Sequence, residues 1–582
     1  MKMNILKPIV LMFAAFPAVV ASAQNLDPTV VVNRAYEGKL MEVHKPALDM
    51  AVPDSIQQFN LDFDYSVFEN PYKGSYEFKP YQLLMKPYAA VQESAMFYLR
   101  AGAGYTVHPE LDLVWTPLSK GKFKMNVYAS HRSYFGEYRS FKPTAAQNGA
   151  VTLDRWQTRE KASAFWDGYA MKSRAGIDGR YDWKKGFASF DVGYLGVASK
   201  DTVGSRMFNA LDMNLRVASK PHGDNYFMYD ADVDFRMGGD GTLSEHIFSM
   251  NAKMGPVLTL SHRILFDLGL DLAGYSGAFA SSVSELYVVP HYIFTHGRWN
   301  VDLGVRIAKL FKHEESGMYQ VKDQIVYPDV EVRFAAIPDA LSIYAKAEGG
   351  NRINTYSSLL ERNPFVNADY GRGTPLLDAS IVKYDISVGL DGRISRNFSY
   401  DLYAGYADYR NALLDAVCVS ESASGMQNYL PGIGYASYGR FFAGLDWDLY
   451  TERVSFDGKV EYSHVSDFGE QAHGLFQPAA LSGNTALEYN WNRRIFVGVD
   501  CRFATARKGT LRPLFMEPAE QYVPVEAHIP AYADLGLYAE VSMSRKLSFW
   551  LRGGNLLNMT VQQIPLYAEK GINFTAGICL KL

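Results

Sequence analysis

The sequence predicts an all-β fold, a transmembrane up-and-down antiparallel β-barrel of about 22 strands, and two observations carry that prediction. Along most of the chain apolar and polar residues alternate with a period of two, the mark of strands with two unlike faces. The connections between these runs alternate between tight turns and extended loops, the asymmetry of a barrel with short turns at one membrane surface and long loops at the other.

Composition narrows the alternatives. The 582 residues carry 58 Lys+Arg against 62 Asp+Glu, a net charge of −4, so no basic excess points to nucleic acid. With 48% apolar and 21% charged residues the chain is too apolar for disorder. The 39 Tyr, 34 Phe and 48 Gly stand beside only three Cys, at 418, 501 and 579, which excludes a disulfide scaffold and a cysteine-rich metal site.

From the amino end, residues 1–23 read as a secretory signal: Lys2 and Lys7, an apolar run from Pro8 to Val20, then Ala21-Ser22-Ala23. Residues 24–95 read as a periplasmic or luminal segment, with an acidic-aromatic cluster at Asp62-Phe63-Asp64-Tyr65. No later run reaches the ~20 apolar residues of a spanning helix. Residues 96–582 read as the barrel. Tyr229, Ala231, Val233, Phe235 and Met237 interleave with Asp230, Asp232, Asp234 and Arg236. Ile264, Phe266, Leu268 and Leu270 interleave with Asp267 and Asp271, and Val301, Leu303, Val305 and Ile307 with Asp302 and Arg306. Ala443, Leu445, Trp447 and Leu449 flank Asp446 and Asp448, and Ile495, Val497, Val499 and Cys501 flank Asp500 and Arg502. Tight turns are expected near 182–185, 296–299, 337–339, 395–397, 451–453, 491–493 and 544–546. Long loops are expected near 139–165, 312–323, 350–382, 411–435, 467–485 and 507–530. The span allows roughly 22 residues per strand and connection, ample for the ~9–11 that a crossing needs; 20 or 24 strands are also compatible. Trp183, Trp299 and Trp491 at tight turns suit an interfacial aromatic girdle.

The carboxyl end reads Leu547-Ser548-Phe549-Trp550-Leu551-Arg552-Gly553-Gly554-Asn555-Leu556-Leu557-Asn558, then Gly571-Ile572-Asn573-Phe574. This resembles the final hairpin of TonB-dependent outer-membrane receptors, with Leu582 where many barrels end in Phe. Asp27-Pro28-Thr29-Val30-Val31-Val32 is similar to a TonB box, the extended segment that a periplasmic energy transducer captures by strand addition; a β-prone stretch arising by chance is the alternative. The resemblance implies the outer membrane of a Gram-negative bacterium, uptake or binding of nutrients at the cell surface, and a TonB-type partner. Residues 24–95 are shorter than the family's plug and lack its glycine patterns, so the barrel is expected to be plugless.

No chemistry stands out, and the chain is read as no enzyme, with no cofactor and no metal. His291 and His296 sit five residues apart, an odd separation that puts them on opposite faces of a strand. The luminal acids Asp230, Asp232, Asp234, Asp446 and Asp448, with Asp267, Asp271, Asp302 and Asp500, form either a ligand-attracting wall or a hydrated lining balanced by Arg236, Arg306 and Arg502. A barrel this wide is normally filled, so folded-in loops, residues 24–95 or another protein must block it. That requirement also admits a non-transporting accessory barrel in an outer-membrane complex, with surface lipoproteins or other outer-membrane subunits as partners.

Overall fold

The computed structural model describes residues 96–582, except 106, 120, 140, 146–150, 156–164, 202–203, 221–225, 260, 279, 315–324, 339, 367–377, 422–426, 469–473 and 514–525. Residues 1–95, including the signal-like run, the box-like segment and the acidic-aromatic cluster, lie outside the described residues.

Twenty-two strands form the barrel. They are β1 (Phe97–Tyr105), β2 (Glu110–Leu118), β3 (Phe123–Arg139), β4 (Phe165–Asp182), β5 (Gly186–Lys200), β6 (Ser205–Ser219), β7 (Phe227–Gly239) and β8 (Leu243–Pro256). Next come β9 (His262–Gly277), β10 (Ser281–His296), β11 (Trp299–Glu314), β12 (Val326–Ile337), β13 (Leu341–Ile353), β14 (Ala379–Ser395) and β15 (Phe398–Glu421). The rest are β16 (Gln427–Tyr450), β17 (Val454–Ser466), β18 (Leu481–Trp491), β19 (Ile495–Ala504), β20 (Tyr532–Ser542), β21 (Leu547–Gly554) and β22 (Asn573–Lys581). Each pairs antiparallel with the next. Closure is direct: β1 pairs with β22 from Tyr98↔Lys581 to Tyr105↔Phe574. No described helix is long and apolar enough to span a membrane.

The faces are sorted for lipid. Leu286 is 55% exposed on the outside while its neighbour Glu285 is 1% exposed on the inside. Apolar side chains such as Leu215, Leu303, Ile386, Val388, Leu402 and Val497 stand outward and exposed around the circumference, the reverse of a water-soluble globule and the pattern of an outer-membrane barrel. At the short-turn end the outward residues become aromatic: Trp115, Tyr181, Phe227, Trp299, Tyr489 and Trp491 are exposed there. Trp299 packs on Phe334 with ring centroids 4.7 Å apart, and Trp447 on Phe456 at 5.6 Å, as an interfacial girdle requires.

The seam is shaped by two glycines. Trp550 on β21 points inward, 3% exposed, and a Cβ on Gly102 or Gly577 would come within 2.4 or 2.6 Å of its ring. Arg100 covers the same ring with its guanidinium 4.3 Å from the centroid.

Two loop expectations change. Long and short connections do not alternate strictly: on the long-loop end, β5–β6, β7–β8 and β9–β10 are joined by only three or four residues. These strands run up to the rim and turn tightly, with Asp240 Oδ1 accepting from the Thr242 and Leu243 amides at 2.9 and 2.8 Å. The segment 411–435 is mostly strand, because β15 and β16 continue to Glu421 and from Gln427 past a bulge between Tyr409 and Ala412. Asn411 occupies the bulge at φ 53°, a left-handed conformation that asparagine tolerates.

Adjacent residues on opposite faces test the lipid assignment. Val388→Arg should destabilise the barrel by about 2–4 kcal/mol, and Ser387→Arg, facing the lumen, by less than about 1 kcal/mol. Urea titration of protein folded into lipid vesicles reads both; equal costs would contradict an outward lipid face.

Candidate functional site

The wet interior is a wall of paired charges. Asp230 accepts from Arg216 at 2.8 and 2.6 Å. Asp232 and Asp234 share the Asn214 amide at 2.7 Å each. Asp446 lies 3.5 Å from Lys459, and Asp448 is exposed opposite Ser399 and Asp457. Asp267 and Asp302 flank the buried His291 at 3.3 and 2.9 Å. Arg236 grips Asp212 through two nitrogens, Arg306 reaches Glu285 at 3.2 Å, and Arg502 reaches Asp534 at 2.6 Å. Asp230, Asp232 and Asp234 therefore line one strand, β7, and Asp446 and Asp448 another, β16, with cations or amides beside most of them. Among the described residues no group of three His, Cys, Asp or Glu is placed to hold a metal. The box-like residues Asp27, Thr29, Val30, Val31 and Val32 lie outside the described residues.

The long-loop end is built differently. The β13–β14 connection carries a short helix, α1 (Tyr356–Arg362). Thr355 and Ser358 start it reciprocally: the Ser358 amide donates to Thr355 Oγ1 at 3.3 Å, and the Thr355 amide to Ser358 Oγ at 3.1 Å, a capping box. Tyr356, Leu359 and Leu360 fall on one face at helical spacing and are buried against Leu195, Val197, Phe208, Leu243 and Tyr275. Those partners lie on the inner faces of β5, β6, β8 and β9, so the upper wall there is apolar, unlike the polar lining below. The phenol of Tyr356 meets Phe208 edge-on at 5.7 Å and donates to Asp240 at 2.8 Å. Burying each large side chain contributes about 1.5–3 kcal/mol.

Charge fixes the helix further. Glu361 takes Lys172 Nζ at 2.8 Å, Arg236 at 3.4 Å and Arg174. Partial burial pushes the Glu361 carboxyl up, but the hydrogen bond from Lys172 and the charges of Lys172, Arg174 and Arg236 outweigh it and hold the group below the usual glutamate range. The amide of Ser357 donates to the buried Glu245 at 3.0 Å.

Three connections converge at Tyr567, in the β21–β22 loop. Its ring stacks on Phe365, just past α1, at 4.1 Å and 10°, and its hydroxyl donates to Asp201 of the β5–β6 connection at 3.1 Å. Phe476, Leu511, Ala527, Ile529 and Leu566 pack into the same cluster. Arg507 ties it down, donating to Asp415 at 2.9 Å and to the Gln562 carbonyl at 3.1 Å. Strands well separated around the circumference thus send loops inward that meet and cross the mouth. Beside this cluster lies a cavity of about 410 Å³ whose lining carries both signs of charge, Glu110, Asp500, Asp534 and Glu569 with Arg362, Arg502, Arg552 and Lys570, next to Phe365 and Tyr567.

The sequence expected loops at 350–382 and marked the carboxyl-terminal motif, but it missed α1, Glu361, Arg362, Phe365 and Tyr567. A signal was present: Thr355 and Ser358 at capping-box spacing ahead of Tyr356, Leu359 and Leu360.

No family model and no curated protein sequence matches the chain. Among solved structures the barrel is similar to the FrpB iron transporter of Neisseria meningitidis, at TM-score 0.58 and 11% identity over 84% of this chain and 82% of that one. It is also similar to the siderophore receptor PirA of Acinetobacter baumannii, at TM-score 0.54 and 10% identity over 84% and 80%. A ferric enterobactin receptor mutant, PfeA of Pseudomonas aeruginosa, gives TM-score 0.55 and 10% identity over 84% and 80%. At such identities the likeness establishes the fold: a large closed outer-membrane-type barrel.

The Glu361 cluster makes a prediction with a defined sign. A carboxylate depressed in the native state stabilises docking fully above the ordinary glutamate value, and that contribution is lost as pH falls through the depressed one. Glu361→Gln should weaken docking of α1 by about 1–3 kcal/mol, and acidification below the usual glutamate range should do the same to the native chain. Amide hydrogen exchange across 355–366 reads both; protection unchanged in the variant would show the ion cluster to be idle.

Proposed function

We propose that this protein is an outer-membrane receptor-type barrel that takes up or binds a nutrient at the cell surface, coupled through residues 27–32 to a TonB-type transducer. The observation that carries the reading is the mouth: loops fold inward around α1 and Tyr567, leaving a charged cavity where an open pore would otherwise be. Such a cap suits capture and controlled passage rather than free diffusion. The iron and siderophore roles of the structural neighbours support the class without naming a cargo for this chain. Passage in this reading is selection by loops and lining, with no covalent change.

Replacing 356–366 by a short Gly-Ser link should raise single-channel conductance in planar bilayers at least tenfold over the intact protein. Val31→Pro should abolish energised uptake while leaving the barrel folded. A capless variant that stays silent, together with stable co-purification of a surface lipoprotein, would instead favour the non-transporting accessory barrel.

A further inference from the structure

The short-turn end of the barrel carries charge of one sign. The four consecutive connections β14–β15, β16–β17, β18–β19 and β20–β21 are only two to four residues long. Together they hold Arg396, Arg453, Arg493, Arg494, Arg545 and Lys546, all exposed, against one carboxylate, Glu452. None of the six cations has a carboxylate at ion-pair distance among the described residues. Elsewhere on the same rim the balance differs, since Lys220 reaches Asp182 at 2.9 Å.

Backbone hydrogen bonds tie these turns into one row. The Tyr450 amide donates to the Asn397 carbonyl at 2.8 Å, the Asn490 amide to the Arg453 carbonyl at 2.7 Å, and the Ser542 amide to the Arg494 carbonyl at 2.7 Å. Successive turns are two strands apart, about 10 Å across the sheet, so the cations form an arc. Within it, Asn492 and Arg493 have φ 53° and 58°, the left-handed region that glycine and asparagine fill most readily. Arg493 thus presents a guanidinium at a position where backbone preference favours a smaller residue.

The outward wall beside the arc is apolar down to the turns themselves. Ile394, Trp491 and Met543 occupy the last outward positions of β14, β18 and the β20 end, and all three are exposed. An occupant of this surface therefore meets lipid-facing side chains and uncompensated positive charge within a few residues of each other. A free phosphate satisfies only the charge, and an acidic polypeptide would have to displace lipid from the apolar positions. An anionic phospholipid satisfies both, offering a phosphate to the planar fork of a guanidinium or the point charge of an ammonium, and acyl chains to the band beside it.

We propose that these four turns bind anionic phospholipid headgroups of the periplasmic leaflet. Arg493, Arg494, Arg545 and Lys546 form the densest part of the surface, and Ile394, Trp491 and Met543 lie against the acyl segments nearest the headgroup. This role goes beyond uptake: the arc selects the lipids beside it whatever cargo passes the mouth.

The test uses the full chain in neutral detergent, titrated with phosphatidylglycerol, with phosphatidylcholine of the same acyl chains, with glycerol 3-phosphate and with oligoglutamate, and read by native mass spectrometry. Phosphatidylglycerol should bind roughly fivefold or more tightly than each of the other three, and raising salt from about 50 to about 500 mM should erode that preference. Replacing Arg493, Arg494, Arg545 and Lys546 together by Gln should bring phosphatidylglycerol to within about twofold of phosphatidylcholine, whereas Arg493→Lys, Arg494→Lys and Arg545→Lys together should keep the preference, since they keep the charge. If the fourfold Gln variant loses the heat-modifiable migration of a folded barrel, Arg545→Gln with Lys546→Gln should still lower the preference at least twofold. Equal binding of the two lipids, or an unchanged preference in a folded charge-removing variant, would overturn the proposal. Glycerol 3-phosphate binding as tightly as the lipid would overturn it in favour of a free phosphate site, and oligoglutamate doing so would assign the arc to an acidic polypeptide.

Discussion

Hydrocarbon offers no partner to a backbone amide or carbonyl, and the architecture follows from that one constraint. A sheet can satisfy it only by having no edge, hence the direct pairing of Phe97–Tyr105 with Asn573–Lys581. Once the ladder is closed, the two faces of every strand are committed to different solvents. That is why Glu285 and Leu286, neighbours in sequence, live in opposite environments. It also explains why the interior can hold so many carboxylates: facing water and one another's counter-ions, Asp212, Asp230 and Glu285 avoid the cost that lipid would impose.

Closing a ladder of 22 strands creates a second problem, a hole wide enough to leak. The inner wall also changes its chemistry along the barrel axis. Toward the short turns the lining is polar and ion-paired; toward the long loops, on β5, β6, β8 and β9, it becomes apolar and receives α1. The tight turns on those same strands belong to this arrangement, because strands that run to the rim extend the wall against which the helix packs. Glu361 then fixes rotation and depth, as one carboxylate shared by Lys172, Arg174 and Arg236 has few alternative seats. Hydrophobic burial supplies most of the docking energy, and the ion cluster supplies its geometry.

Much of the barrel was legible in the sequence because lipid enforces a strict period. Tyr229 through Met237, or Val301 through Ile307, can be read as outward faces with no knowledge of partners, and the turns near Trp299 and Trp491 fall where the structure has them. Reading failed where the period stopped carrying information. The segment 411–435 looked like a loop because its alternation weakens beyond the membrane, where the β15–β16 hairpin no longer separates lipid from water. The cap was opaque for a different reason. Phe365, Tyr567 and Asp201 are brought together by closure of the barrel, and nothing local to any of them announces the other two. Among the acidic residues singled out from sequence, Asp230, Asp267 and Asp446 meet cations on neighbouring strands, partners that only the register of the ladder reveals.

The seam also sets a timetable. The partners of Phe97–Tyr105 lie about 470 residues further along the chain, so Tyr98 waits for Lys581 across nearly the whole length of the barrel. Until then two bare edges coexist on one chain, each a template for pairing with a stranger. Joining ends so remote carries a loop-closure cost that local contacts cannot offset early. A chain released before Asn573 would be an open ribbon lacking the strand that bears Gly577. A closed seam therefore certifies that translation has carried through to the closing strand.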